Sequence, residues 1–120
     1  MTHVLLVEPD DDLCLFLRFA ISGVGRRVTI AGTRAEAQEV LDGEEPVDVA
    51  VTSVNLPDGS GVSLACEAVR RVRRTFVLRA VRGGIEVADM HGVVFRGDQH
   101  AAGIFLNKVI SKRLRTKLLQ

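Results

Sequence analysis

The chain has no tryptophan and no tyrosine, and its five phenylalanines are its only aromatic side chains other than histidine. Stacking on nucleic-acid bases is therefore poorly supplied. Cysteine is almost as scarce. Cys14 and Cys66 have neither CxxC spacing nor a dense framework, which excludes a disulfide scaffold and a thiolate metal cage. Both read as reduced cysteines packed like small hydrophobes on helix faces. His3, His91 and His100 are scattered without metal-ligand intervals. No apolar run approaches the roughly 18 residues of a membrane span. The opening Met1-Thr2-His3 lacks the basic region and long apolar stretch of a secretory signal. These absences predict a cytoplasmic protein that does not engage a membrane.

With 120 residues the chain fits one domain, 1–120, long enough to bury a core without staples. Hydrophobic residues make up 47% and charged residues 26%, as a folded protein requires. The net charge of +1 hides an uneven distribution. Glu8, Asp10, Asp11 and Asp12 cluster early, whereas Lys108, Lys112, Arg113, Arg115 and Lys117 end the chain.

Val4 to Val7 is a short apolar run suited to a central strand, and the acids after it supply an N-cap and negative charge for a helix. Leu13, Leu17, Ala20, Ile21 and Val24 recur at helical spacing before Gly23 and Gly25 close that segment, and Arg27 to Ala31 is β-rich. Thr33 and Glu36 form a capping box for a short helix with Ala37, Val40 and Leu41 inward. Val47 to Ser53 reads as the third strand, Leu56 to Gly59 as a tight turn, and Val62, Ala65, Cys66, Val69 and Val72 as the apolar stripe of the next helix. Phe76 to Ala80 and Gly92 to Phe95 give strands four and five, and Ala102, Phe105, Leu106, Val109, Ile110 and Leu114 line a last helix. Between strands four and five only Val81 to His91 remains, with Gly83-Gly84 inside it, so an irregular segment with a shortened fourth helix is expected.

Strands alternating with helices predict an α/β fold, a doubly wound five-stranded parallel sheet of order 2-1-3-4-5. The functional crevice of such a sheet lies beyond the carboxyl ends of its central strands, where Glu8, Ser53, Arg79 and Arg96 are expected to meet.

At these residues the chain resembles the CheY-like receiver domains of bacterial response regulators, over nearly its whole length. Asn55-Leu56-Pro57-Asp58-Gly59-Ser60-Gly61 is similar to the loop after the phosphoacceptor, and VLLVE at the first strand agrees. The resemblance implies a flavodoxin-like fold, phosphorylation of an aspartate held by Mg²⁺, and a surface that recruits a partner once modified. This sequence departs at most working positions. The acceptor aspartate falls on Ser53, and the first-strand acidic pair on Glu8 and Pro9, with Asp10 following. The switch hydroxyl of strand four falls on Arg79, the aromatic switch of strand five on Val93, and the strand-five lysine on Arg96. Mg²⁺ demands near-octahedral oxygen ligands, so its binding is expected to be lost, and phosphoryl transfer with it. The guanidiniums are expected to pair with Glu8 or Asp10, locking the crevice, or to point into solvent.

Ser53 has no histidine placed by sequence to serve as its base and reads as a hydroxyl satisfied by backbone. The expectation is a degenerate pseudo-receiver in two-component phosphorelay signalling, with no enzymatic activity and no cofactor. It would act as a phosphorylation-independent protein-interaction module, through Arg82, Lys108 and Lys112 and with Asn55, Pro57 and Gly59 retained only as loop architecture. Expected partners are a histidine kinase, a phosphotransferase or an output protein, with a homodimer also open. Two alternatives stand beside it: a receiver phosphorylated on Asp10 or Asp58 instead, and, ranked last, a nucleic-acid binder using Arg70, Arg71, Arg73, Arg74 and the final helix.

Overall fold

Val4, Leu5, Leu6 and Val7 expose no surface at all, the burial expected of a strand covered on both faces. The computed structural model describes residues 1–119, with side chains as far as Ser111. Its elements are β1 (Thr2–Val7), α1 (Asp11–Ile21), β2 (Arg26–Ala31), α2 (Arg34–Asp42), β3 (Val49–Ser53), the two-residue strands β4 (Asn55–Leu56) and β5 (Gly59–Ser60), α3 (Gly61–Ala68), β6 (Arg74–Val81), β7 (Gly84–Asp89), β8 (Gly92–Gly97) and α4 (Gln99–Leu119). The architecture is α/β and flavodoxin-like. Val4 and Leu6 face a core shared with α1 and α4, while Leu5 and Val7 face one shared with α2 and α3.

Local signals position the first half. Asp10 caps α1, its Oδ1 accepting from Leu13 N at 2.9 Å, and Thr33 caps α2 by accepting from Glu36 N. Glu36 Oε1 accepts from Gly32 N, so the reciprocal half of the expected capping box closes one residue early. Ser60 caps α3, accepting from Val62 N and Ser63 N. Gly61 is required at the start of that helix, because a Cβ there would lie 1.6 Å from the Ser53 carbonyl oxygen.

The second half differs from expectation. The main sheet has six strands in the order β2-β1-β3-β6-β7-β8, not five, and it is not wholly parallel. β1, β2, β3 and β6 pair in parallel, whereas β6–β7 and β7–β8 are antiparallel. No fourth helix lies between strands four and five. Gly84–Asp89 forms a strand there instead, with Ile85 and Val87 in the core shared with α1 and α4. Two-residue connections at Arg82-Gly83 and Met90-His91 are too short for a crossover helix, and Gly83 adopts φ 81° to make the first of them. Gly92–Gly97 still runs in the direction of β6 but sits one strand farther out, as the sheet edge. Without the fourth helix, the face of α3 that would pack against it is open. Cys66 is exposed and Val62 is half-exposed, contrary to the packed stripe expected, and Leu64 and Ala68 are buried in their place.

Candidate functional site

The carboxyl ends of β1, β3 and β6 border a crevice of about 330 Å³ lined by Glu8, Asp10, Ser53, Asn55 and Arg79. Glu8 follows β1 directly and is only 5% exposed. Its two oxygens are engaged: Oε1 accepts from Ser53 Oγ at 2.6 Å, and Oε2 accepts from Asp10 N at 3.0 Å. The Ser53 hydroxyl is thus satisfied by a carboxylate rather than by backbone. A buried carboxylate needs such donors, because an unpaired one costs several kcal/mol, on the order of a lost buried ion pair.

Arg79 and Arg96 do not pair with Glu8 or Asp10. Both bind Glu86, which lies opposite each of them in the sheet register. Arg79 Nη2 reaches Glu86 Oε1 at 3.0 Å, and Arg96 Nε reaches Glu86 Oε2 at 2.8 Å. The arginines stay 61% and 70% exposed at the side chain, while Glu86 is buried between them. The Arg96 and Arg79 guanidiniums hold the Glu86 carboxyl below the usual carboxylate range. The insertion of β7 accounts for this pairing: it supplies an acid between the two arginines and moves Arg96 away from the crevice. Among the described residues, no cation locks the pocket from inside. Val93 sits on β8 opposite Ala88 and is half-exposed, so it occupies no internal switch position.

The other named acids have structural tasks. Asp10 caps α1, and Asp58 accepts from Arg34 N at 2.7 Å and Ala35 N at 2.9 Å at the start of α2. Those two backbone donors lower the Asp58 carboxyl below its ordinary range. Asn55, Pro57 and Gly59 belong to the short β4–β5 hairpin that sets the N-terminus of α3. Arg82 is exposed at the β6–β7 turn and Lys108 on α4, while the Lys112 side chain, like those of Arg113, Leu114, Arg115 and Lys117, lies outside the described residues. The basic run Arg70 to Arg74 follows α3, which ends at Ala68 and not near Val72 as expected; within the run, Arg71 is tied to Asp42 and to the Leu41 carbonyl, and Arg74 opens β6 and stacks on Phe76.

The residues at the crevice do not suit a divalent metal. Glu8 is occupied by two hydrogen-bond donors, Pro9 has no ligating side-chain atom, and Ser53 offers a neutral hydroxyl. Among the described residues, no three of histidine, cysteine, aspartate and glutamate converge to hold an ion. No helix among them is long and apolar enough to cross a membrane.

The non-phosphorylated HemR receiver domain from Leptospira biflexa is similar to this chain, with 32% identity, a TM-score of 0.56, and coverage of 70% of this chain and 68% of that one. The chain belongs to the receiver-domain family of response regulators. The response regulator receiver protein CpdR of Brucella abortus is 37% identical over 68 residues, 57% of this chain and 56% of that protein. Similarity to the transcriptional regulatory protein CpxR of Escherichia coli is 25% identity over 118 residues, 98% of this chain. The chain spans about half the length of CpxR. No family model matches the chain.

The resemblance seen at Asn55 to Gly61 and in the first strand therefore identified the family. Glu86 was missed. Its signal was present in Val81-Arg82-Gly83-Gly84, since a two-residue hairpin turn there places Glu86 opposite Arg79.

Proposed function

We propose that this receiver domain works in two-component signalling as a phosphorylation-independent protein-interaction module, without catalysis and without Mg²⁺. The observation that carries this reading is the 2.6 Å hydrogen bond from Ser53 to the buried Glu8 carboxylate. It occupies the strand-end position where an aspartate would accept phosphate, and it uses the acid a metal would need. Pro9 removes the second acid, and Arg79 and Arg96 are engaged by Glu86. Both Glu8 oxygens are taken up by neutral donors, and one carboxylate beside a hydroxyl falls short of the oxygen ligands that Mg²⁺ requires.

Asp10 and Asp58 are poor substitute acceptors because each carboxylate already serves backbone N–H groups at a helix start. The partner we assign is a cytoplasmic kinase, phosphotransferase or output protein. We place its contact on the β6–β7 turn and α4, with Arg82 and Lys108 as exposed cationic probes.

The deciding experiment incubates the full chain with acetyl phosphate and Mg²⁺, and separately with beryllium trifluoride and Mg²⁺. Intact mass and the amide spectrum are then recorded. The expected result is an unchanged mass and unchanged amide positions around residues 8, 53 and 79. A stoichiometric phosphoryl gain, or saturable shifts at the crevice, would overturn the proposal.

A further inference from the structure

Helix α1 carries two apolar stripes, and the fold uses one of them. Cys14, Leu17 and Ile21 are buried in the core. Leu15 and Phe19, four residues apart and hence on one face, are 67% and 84% exposed. Asp11 precedes Leu15 by one turn on the same face, and Asp12 and Arg18 flank Leu15 at three residues on either side. All three charged residues are exposed, and among the described residues none takes part in an ion pair. The opposite side of α1 is closed by α4, where Gly103 comes so near that an added Cβ would lie 2.8 Å from Ala20 Cβ. Among the described residues, nothing therefore covers the bare stripe.

We infer that this face of α1 is the contact between two copies of the chain, with the helices antiparallel about a two-fold axis at Leu15. Reversal sets the acidic first turn of each helix against the last turn of its mate. Arg18 of one copy then faces Asp12 of the other, twice by symmetry, while Leu15 meets its own counterpart and Phe19 is covered beside Asp11 of the mate. A two-fold contact requires one patch that complements itself, and this patch holds both signs of charge in an order that does so on reversal. A parallel alignment would oppose like charges. A purely acidic or purely basic partner would leave one turn unmatched. Antiparallel helix dipoles favour the same arrangement. The inference does not depend on whether the Ser53 pocket is silent.

Sedimentation velocity of the full chain, from micromolar to near-millimolar concentration, tests it. The expected result is a concentration-dependent dimer whose dissociation constant rises at least about tenfold in Phe19→Glu, about 1.4 kcal/mol. The thermal midpoint should hold, since Phe19 packs little within one copy. Arg18→Asp should weaken the dimer as well, and the pair Asp12→Arg with Arg18→Asp should restore it. In a Cys66→Ser background, Leu15→Cys should yield a disulfide-linked dimer under mild oxidation. A monomer at every concentration overturns the inference, even if the stripe captures some other protein. So does a dimer indifferent to Phe19→Glu, and failure of the charge exchange to restore association overturns the antiparallel arrangement.

Discussion

Ser53 donates its hydroxyl proton to Glu8 across 2.6 Å, which joins the ends of β3 and β1 by a single side-chain bond. The strand end that could hold a reactive acid instead holds a donor, and the neighbouring acid is spent on accepting from it. Replacing Ser53 with alanine should leave Glu8 Oε1 short of a partner in a buried setting and cost about 1–3 kcal/mol, read by urea denaturation.

Ser53→Asp should be worse at neutral pH. A second carboxylate buried against that of Glu8 adds like-charge repulsion to the lost hydrogen bond, so the variant's midpoint in urea should fall below that of Ser53→Ala. Mg²⁺ should not rescue Ser53→Asp alone, whereas Pro9→Asp with Ser53→Asp should gain thermal stability on adding Mg²⁺. A clear Mg²⁺ effect in the single variant would show that Pro9 is not what blocks the ion.

Acid should weaken the β6–β8 region through Glu86. Its carboxyl is held below the ordinary range by Arg96 and Arg79, so its contribution is complete above that range and lost as pH drops through the lowered value. The wild-type chain should therefore lose stability from about pH 4 downward. Glu86→Gln should flatten this acid limb without abolishing it, because Asp58 and Asp42 are lowered too.

Gly84→Ala tests the antiparallel hairpin. An added Cβ would lie 2.1 Å from the Gly97 carbonyl oxygen, a backbone atom that cannot swing aside. The strands must separate, at a cost of about 2–3 kcal/mol. Hydrogen exchange should quicken in β7 and β8 before it does in β1 and β3. If Gly84→Ala is neutral, β7 does not pair with β8 in the register described.

The two cysteines should separate kinetically. Cys66 is exposed, whereas Cys14 is buried and its thiol is pushed up by burial and by the Glu8 charge. A thiol reagent should modify one site rapidly in the native chain and the second only on unfolding, as read by intact mass.

The elements from β1 to β3, and the start of α3, were legible because each carries its own signal: an apolar or β-rich run, or an N-cap from the acids after Val7, from Thr33 or from Ser60. Those signals are local, and distant residues do not overrule them. The segment Gly84–Asp89 was not legible because its strand character is a period-two alternation only six residues long, placed where a helix was expected. The arginines illustrate the same limit at the site. Their unusual identity at positions 79 and 96 was visible, but their partner became readable only with the hairpin register. Ser53 was recognised by position, while its bond to Glu8 depended on how two strand ends meet in space.

The extra strand also changes what the molecule looks like from outside. Neighbouring strands lie about 4.8 Å apart, so β7 moves the row bearing Val93 and Arg96 sideways by that distance relative to direct pairing with β6. A binder shaped to a five-stranded rim meets a step of one strand width at this edge, and its contacts fall out of alignment.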